Sequence, residues 1–367
     1  MKNKKIVIPG GTGFIGQSLI KYFGKENEIV ILGRDLVKQH KNLYSNKRVS
    51  GSDGYNVRYV KWLTTDANND WMNEIDGAHL IINLTGKSVN CRYHEKQKKE
   101  IIDSRVKSTI AIGNAIQRAT IKPELWINAA SATIYRHTLN KPNDEFTGII
   151  SEWKKDNMPY NFIDAARNIK KRIMTRMKYG KNSVQYSELD KDFSIQVCKA
   201  WESTFFEQGT PGTRKIALRT AITLGEGGVI TPYLNLCKFG LGGKQGNGKQ
   251  MYTWVHIEDV ARMIDWLVEK KGEDCVYNCA APNAVTNAVF MKTLREVTGH
   301  HLGLPASSWM LEAGAFLIGT ETELMLKSRW VNPAKATIEG FEFKYKFLKD
   351  ALAEIVKKMP RRKYHFF

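Results

Sequence analysis

The sequence predicts an α/β fold of the Rossmann type, a doubly wound parallel sheet with a smaller, mainly helical C-terminal lobe. Short apolar runs alternate along the chain with segments of helical spacing, which is typical of right-handed βαβ units. The first apolar run leads directly into a glycine-rich turn, GGTGFIG, and the turn opens a helical segment. These two observations indicate a parallel sheet with a ligand site at its carboxyl edge.

The individual elements follow from the same patterns, taken in chain order. KIVIPGG predicts a first strand, and Ile15, Leu19, Ile20 and Phe23 have the spacing of one helical face. EIVILGRD, AHLIINLTG and ELWINAASA predict further buried strands, and a long helix with an apolar stripe separates the last two. TRKIALRTAITLG and DCVYNCAAP predict later strands, with the helix HIEDVARMIDWLVEKK between them.

These elements divide the chain into two predicted units. A Rossmann domain is expected from residues 1–224 and 251–281, and a substrate-side lobe from residues 225–250 and 282–367. The glycine-rich segment 225–250 is expected to be mobile and to cap a ligand cleft. Residues 136–190 interrupt the alternation with a polar, basic stretch, which we interpret as an insertion at the rim.

Composition restricts the class of protein. The 367 residues are 42% apolar, as in an ordinary globular enzyme. The five cysteines form no CxxC pair, which argues against zinc or a disulfide framework and favours a reducing, cytoplasmic location. We expect no signal peptide after MKNKK, and SSWMLEAGAFLIG is too short to span a membrane, so it predicts a core helix.

The net charge of +19 has two possible explanations, an anionic partner or a lysine-rich solvated surface. Acidic residues are interspersed through most of the chain and no nucleic-acid-binding motif is present, so we favour the solvated surface and expect no nucleic-acid partner. One segment is an exception, because residues 165–182 contain seven basic residues and no acidic one.

The glycine turn predicts a dinucleotide site. Gly10, Gly13 and Gly16 allow a tight turn after the strand and a close approach of the backbone to a pyrophosphate, which the helix N-terminus then attracts. The candidate cofactor-binding residues of this turn are Gly10, Thr12, Gly13, Phe14, Ile15 and Gly16.

The end of the second strand predicts which dinucleotide is bound. NAD sites carry an acidic residue there for the ribose 2′-hydroxyl, whereas this chain has Gly33 followed by Arg34. A guanidinium suits a 2′-phosphate, so we predict NADP in preference to NAD. Asp35 leaves an alternative open, because its carboxylate could pair with Arg34 or face the ribose.

With these residues in view, the chain resembles the extended short-chain dehydrogenase/reductase superfamily, and within it the atypical branch of "epimerase family proteins", which are described as sugar-nucleotide epimerases. The matching pieces run nearly end to end: GGTGFIG, NLTGKSV, KKEIIDSRVKST, ASATIY, VCKAWE, LRTAITLGEGG, WVHIEDVA, NCAAPNAVTNAVF and GFEFKY. Residues 136–190 fall outside the resemblance. It implies a nicotinamide cofactor and a small-molecule substrate, with an anionic compound or a nucleotide sugar among the candidates.

The resemblance also assigns roles to individual residues. It implies that Ser131 is the catalytic hydroxyl and that Arg219 and His256 flank the cleft. For His256 we favour the alternative of a buried histidine satisfied by Asp259 or by backbone. The segment that lies along the cofactor after the fourth strand is Asn83, Leu84, Thr85 and Gly86.

The superfamily's catalytic Tyr-x-x-x-Lys pair is missing at its expected place. Ser194 and Cys198 occupy the two positions, and the one Tyr-x-x-x-Lys in the chain, at Tyr345, lies in the C-terminal lobe. Loss of a positioned acid or base costs about 10²–10⁴ in rate, so a standard mechanism is not supported.

Two residues are possible substitutes for this pair and two arginines are possible substrate contacts. Tyr135 is the candidate catalytic partner of Ser131, or packs under the nicotinamide; Lys199 supplies an ammonium, or is a solvated surface lysine. Arg92 and Arg105 bracket the start of the long helix and are candidates for binding an anionic group of the substrate. The alternative for Arg105 is that its side chain faces solvent.

Three functions remain open on the sequence. The first is an NADP-dependent oxidoreductase or epimerase-like enzyme with an unconventional acid/base set, and the second is a non-catalytic dinucleotide-binding sensor or scaffold. The third, ranked last, is a module that binds anionic polymers or membranes through residues 165–182. The oligomeric state is not predicted.

Overall fold

The computed structural model describes residues 1–34, 54–62, 70–150, 193–306 and 328–365. Several predictions concern residues outside these ranges. They are the role of Asp35, the basic segment 165–182, the greater part of the insertion 136–190, and the core helix over SSWMLEAGAFLIG.

The described residues form strands and helices that alternate along most of the chain. The strands are β1 (Lys5–Pro9), β2 (Glu28–Gly33), β3 (Val57–Lys61), β4 (Leu80–Asn83), β5 (Leu125–Ser131), β6 (Arg214–Thr220), β7 (Ile222–Gly225), β8 (Gly227–Gly228), β9 (Met251–Tyr252), β10 (Trp254–His256), β11 (Cys275–Cys279) and β12 (Val285–Thr286). The helices are α1 (Phe14–Phe23), α2 (Glu95–Arg118), α3 (Phe193–Glu207), α4 (Ile230–Lys238), α5 (Ile257–Glu269), α6 (Asn287–Thr298), α7 (Ala334–Ile338) and α8 (Leu348–Lys358).

A parallel sheet confirms the predicted fold class. Within the described residues its seven strands lie in the order β11-β6-β5-β4-β1-β2-β3, and every neighbouring pair is parallel. Strand β1 has β2 on one side and β4 on the other, so the chain reverses its direction of winding between β1 and β4. Ligands of open α/β sheets bind at such a switch point, outside the carboxyl ends of the strands.

Alternating side chains of the sheet build a core on each face. Ile6 and Ile8 of β1 contribute to one core, with apolar residues of α1 and α5 packed over them. Val7, between them, contributes to the opposite core, where α2 and α3 supply Ile112 and Phe205. This period of two explains why the strands are apolar throughout, since both faces of the sheet are covered by helices.

The sequence analysis missed several elements, among them the short strands β8, β9, β10 and β12. The segment TRKIALRTAITLG forms two strands, β6 and β7, which belong to different sheets. At the break, the N–H of Ala221 donates to the carbonyl of Cys279 (3.0 Å) and that of Ile222 to Thr253 (3.3 Å). Strand β3 was not predicted because it is only partly buried at the edge of the sheet. Helix α4 lies inside the glycine-rich segment 225–250 and buries Leu234.

A further core lies beyond the parallel sheet. Strands β7, β9 and β10 pack with helices α4, α6 and α8 around residues such as Trp254 and Phe290. The described start of the predicted insertion, residues 136–150, packs against the C-terminal part, where Asn143 pairs with Val331. Among the described residues, no helix has the length and apolar character that crossing a membrane requires. The predicted domain boundaries stay a prediction.

Candidate functional site

The glycine turn after β1 lies directly against the end of β4. Gly10 has a φ of +74° and donates its N–H to the carbonyl of Leu32 on β2 (2.9 Å). A Cβ atom on Gly10 would lie 2.8 Å from the backbone nitrogen of Thr85, and one on Gly16 would lie 2.1 Å from the carbonyl oxygen of Gly11. Only glycine fits these two positions, which brings three predicted cofactor residues together at the switch point.

Helix α1 begins at this turn with its first N–H groups uncapped. Its N-cap residue, Gly13, is exposed and supplies no side-chain cap, and the first turn contains no acidic residue. A Cβ on Gly13 would approach no atom closer than 3.9 Å, so the space in front of the helix is open. Free amides and the positive end of the helix dipole favour a phosphate there.

The segment after β4 forms the other wall of this cleft. The Asn83 side chain is buried and holds the wall in place, because its Nδ2 donates to Oδ1 of Asn128 (2.7 Å) while its Oδ1 accepts from the N–H of Thr85 (3.1 Å). Leu84 is half-buried and Gly86 is exposed. The Thr85 hydroxyl is buried and has no hydrogen-bond partner among the described residues, so a polar group of a ligand would satisfy it.

The remaining predicted cofactor residues have different surroundings. Arg34 is exposed at the end of β2, two residues beyond the Leu32 carbonyl that binds the glycine turn. Thr12 and Ile15 are half-buried, and Ile15 packs against the core. The Phe14 ring is turned to the β7–β8 hairpin, because a Cβ on Gly225 would lie 2.8 Å from its Cζ.

Ser131 ends β5 at the same edge, where it pairs in register with Thr220 of β6. Its Oγ accepts a hydrogen bond of 3.2 Å from the N–H of Thr133 and so caps a short 3₁₀ turn, Ala132–Ile134. The thiol of Cys198, on α3, lies near Ser131, and burial raises the pKa of this thiol to about 11. Near neutral pH the structure therefore places a protonated thiol, and no strong nucleophile, beside Ser131.

Tyr135 lies inside the fold, in a buried polar network. Its hydroxyl accepts from Nη1 of Arg219 (2.8 Å) and donates to Oδ1 of Asn278 (3.1 Å), and the ring is 1% exposed. Arg219 in turn pairs with both carboxylate oxygens of Glu202, and the N–H of Asn278 donates to Glu145 (2.7 Å). Burial raises the pKa of the Tyr135 hydroxyl. Because both hydrogen-bonding capacities of this hydroxyl are used, the geometry favours a positioning role.

Arg105 points back from α2 to the end of β4. A Cβ on Gly86 would lie 3.0 Å from the guanidinium carbon, and the same carbon is 5.0 Å from the centre of the Trp201 ring. Arg105 is therefore turned towards the cleft, which is one of the two orientations that the sequence left open. Ser194, at the expected tyrosine position, has a buried hydroxyl without a partner among the described residues, and Lys199 is half-buried.

The side chains of His256 and Tyr345 contact each other, and each of them forms a hydrogen bond with a carboxylate. The ring of His256 is 2% exposed; Nε2 lies 3.0 Å from Glu354 and Nδ1 accepts from the N–H of Glu258 (3.2 Å). The centre of the Tyr345 ring lies 3.9 Å from the centre of this ring, with the two planes tilted by 38°, and the Tyr345 hydroxyl donates to Glu258 (3.3 Å). His256 is thus the helix cap of α5 and a buried histidine with partners inside the fold, one of the two roles considered for it.

The sequence analysis did not single out Glu145 or Asn278, which anchor the network around Tyr135. A signal for Asn278 was present, since it is the single polar amide in the otherwise apolar strand β11. Glu145 had no such signal, because it acts through backbone N–H groups of Asn278 and Lys335 that lie far away along the chain. In the described part of the chain, no group of three or more His, Cys, Asp or Glu residues has the arrangement of a metal site.

Comparisons with known proteins relate the chain to one family. A sequence profile of the NAD dependent epimerase/dehydratase family matches residues 6–166, and one described as a domain of unknown function (DUF1731) matches residues 306–355. Epimerase family protein YfhF of Bacillus subtilis is 28% identical over 352 residues, covering 96% of this chain and 97% of that protein. Epimerase family protein SSP1921 of Staphylococcus saprophyticus is 28% identical over 358 residues, covering 96% and 99%.

Solved structures are similar over almost the whole chain. The human epimerase family protein SDR39U1 (isoform 2), crystallised with NADPH, superposes with a TM-score of 0.69 at 22% identity, covering 96% of this chain and 99% of that chain. A UDP-N-acetylglucosamine 4-epimerase from Methanobrevibacter ruminantium, in complex with UDP-N-acetylmuramic acid, has a TM-score of 0.64 at 16% identity, with coverage of 97% and 98%. At these sequence identities, the structural similarity shows that the chain shares the fold of these proteins.

Proposed function

The chain belongs to the epimerase family proteins, the atypical branch of extended short-chain dehydrogenases/reductases, and from this premise we propose that it is an NADP-dependent oxidoreductase or epimerase-like enzyme. The observation that carries the proposal is the glycine turn at the switch point, where Gly10 touches the Thr85 backbone and α1 presents uncapped N–H groups. The residues present fit a dinucleotide, because the turn leaves room for a pyrophosphate and the orphaned Thr85 hydroxyl lies in the opposite wall.

The preference for NADP rests on Arg34. Its exposed guanidinium follows the strand whose end binds the glycine turn, which is the position that reads the ribose 2′ substituent. A charge-assisted hydrogen bond to a 2′-phosphate is worth about 1.5–3 kcal/mol, which corresponds to roughly 10–150-fold in affinity. The human relative crystallised with NADPH supports the same preference.

The chemistry of the site depends on few groups. A nicotinamide dinucleotide, when bound, supplies reversible hydride transfer. Ser131 is the hydroxyl proposed to polarise a substrate carbonyl or hydroxyl, because it ends β5 at the edge where the cleft lies. Tyr135 has a positioning role, because its hydrogen bonds with Arg219 and Asn278 hold the chain that follows the end of β5 in place. The substrate we propose is a small molecule of the nucleotide-sugar class, as in the epimerases of similar fold.

Isothermal titration calorimetry with NADPH and NADH tests the cofactor assignment. We expect NADPH to bind at least about tenfold more tightly than NADH, and Arg34→Ala to remove most of that difference. Arg362→Ala, which removes another exposed guanidinium, is the matched control and is expected to change neither affinity. If neither dinucleotide binds at millimolar concentration, the proposed function is wrong.

A second candidate function is a dinucleotide-binding sensor or scaffold without turnover. The observation in its favour is that Ser194 and Cys198 occupy the positions of the missing tyrosine and lysine, and that the Cys198 thiol is buried. Two activities, each lost in Ser131→Ala, distinguish the enzyme from the sensor: oxidation of bound NADPH by a carbonyl compound, and conversion of a nucleotide sugar to its epimer by the chain loaded with NADP⁺. A chain that binds the dinucleotide tightly and shows neither activity would favour the sensor. The five cysteines, all unpaired, fit the cytoplasmic location that we propose.

A further inference from the structure

The guanidinium of Arg105 is held in one place by the backbone around it. Its carbon would be 3.0 Å from a Cβ on Gly86, so the guanidinium lies close to the backbone at the end of β4. The Trp201 ring, 5.0 Å away, gives a second contact of the kind that cations make with aromatic faces. The side chain is therefore preorganised at the carboxyl edge of the sheet.

This positive charge has no acidic partner among the described residues. Nη1 donates to the carbonyls of Lys87 (3.0 Å) and Ile101 (2.9 Å), which satisfies part of the guanidinium but supplies no negative charge. Arg219 shows the contrast, since it is buried in the same region and pairs with both oxygens of Glu202. Burial lowers the pKa of Arg105. A partly buried charge is costly without a counter-ion, so an anion from outside the chain would complete this site.

Two serine hydroxyls are connected with Arg105 through Cys198. Arg105 lies near enough to Cys198 to stabilise the thiolate form of that thiol, and Ser131 is also near Cys198. Ser194 lies one helical turn before Cys198 on the same face of α3, and its buried hydroxyl has no partner among the described residues. The cation and both serines are therefore grouped around one position of α3, and one of the serines carries the proposed catalytic hydroxyl.

We propose that Arg105 is the anion-binding residue of the substrate site, pairing through its planar fork with a carboxylate or phosphoryl group of the substrate, with the Ser194 hydroxyl as a further donor. The assignment rests on the proposed function, because it takes Ser131 as the reacting edge of the cleft. It narrows the substrate class to compounds that carry an anionic group within reach of the reacting carbon. A guanidinium suits both anions, since each presents two oxygens to its parallel N–H donors.

The cofactor is the other possible source of such an anion. Gly86 follows Thr85, whose backbone touches Gly10, so Arg105 is not far from the pyrophosphate cradle. The cradle has its own anion site, however, in the uncapped N–H groups of α1. Binding of a simple anion to the NADPH-loaded chain separates the two sources, because the cradle is then already filled.

The test is a titration of the NADPH-saturated chain with inorganic phosphate at constant ionic strength, followed by tryptophan fluorescence. Trp201, beside the guanidinium, serves as the reporter. We expect saturable binding that weakens by about tenfold or more in Arg105→Gln, while the affinity for NADPH stays unchanged. Lys107→Gln removes an exposed cation from the same helix and is expected to leave phosphate binding as in the parent.

Each remaining outcome is decisive. Equal phosphate binding in the parent and in Arg105→Gln would overturn the proposal, and so would an equal loss of phosphate and NADPH affinity, since the anion would then belong to the cofactor. Failure of the parent chain to bind NADPH would refute the proposed function alone, because phosphate binding to the unloaded chain would still depend on Arg105.

A second pair of variants covers the case in which Arg105→Gln does not fold. Arg105→Lys keeps the charge and loses the planar fork, so phosphate binding is expected to weaken, and parent-like affinity would contradict the proposed pairing. Ser194→Ala removes a hydroxyl that has no partner among the described residues, so the fold is expected to be unaffected while phosphate binding weakens. Unchanged binding in both variants overturns the proposal.

Discussion

Replacement of Gly10 by alanine tests the geometry of the cofactor cleft directly. The new Cβ would lie 2.8 Å from the Thr85 nitrogen, whereas ordinary contact begins at 3.4 Å, so backbone has to move by about 0.6 Å. The positive φ of Gly10 costs about 1–2 kcal/mol for alanine, and the overpacking adds about 1–3 kcal/mol. We therefore expect the free energy of unfolding to fall by about 2–5 kcal/mol, and NADPH affinity to fall by at least about tenfold.

Gly77 offers a matched control for this substitution. Its φ is +68°, close to that of Gly10, but a Cβ there would meet nothing within 4 Å. Gly77→Ala should lose only about 1–2 kcal/mol of stability and keep its NADPH affinity. Urea denaturation and calorimetry on both variants give the comparison. Equal stability losses in the two variants, together with parent-like NADPH binding by Gly10→Ala, would refute the assignment of the cleft.

Two further substitutions and one labelling experiment probe buried groups. Tyr135→Phe leaves an Arg219 donor unsatisfied, so unfolding in urea should show a loss of about 1–3 kcal/mol; a change below 0.5 kcal/mol, about the noise of such measurements, would mean that the network is not structural. Burial lowers the pKa of His256, so its neutral form stabilises the fold fully above pH ~6.5 and progressively less below it; His256→Gln should flatten this dependence, and an unchanged profile would contradict it. With a thiol pKa of about 11, Cys198 should be alkylated far more slowly at pH 8 than the partly exposed Cys91, as peptide mass spectrometry would show, and equal rates would count against its burial.

The sequence was sufficient for those features that depend on local pattern. Apolar runs bounded by glycine predicted six of the seven strands of the central sheet, and the missed strand, β3, lies at an edge where burial is incomplete. The glycine turn was predictable because Gly10 needs a positive φ and Gly16 a close approach to Gly11, and both requirements exclude other residues. Such constraints act within a few residues of chain.

Long-range contacts were beyond the reach of the sequence. The direction of Arg105 depends on Gly86 and Trp201, which belong to different elements, so helical periodicity left it undecided between cleft and solvent. The hydroxyl of Tyr135 meets Asn278 across 143 positions of chain. The break between β6 and β7 is equally invisible in an apolar run, because it arises from a change of hydrogen-bonding partner at Ala221.

The ring of Phe14 links two parts of the molecule that the sequence treats as separate. It stands at the first position of α1, and a Cβ on Gly225 or Gly228 would come within 2.8 Å or 3.2 Å of it, so the hairpin fits around the ring without spare room. Protein interiors packed this closely transmit displacement instead of absorbing it. Phe14 thereby joins the glycine turn to the strand that leads into α4, so the proposed cofactor site and the core beyond the parallel sheet share one wall.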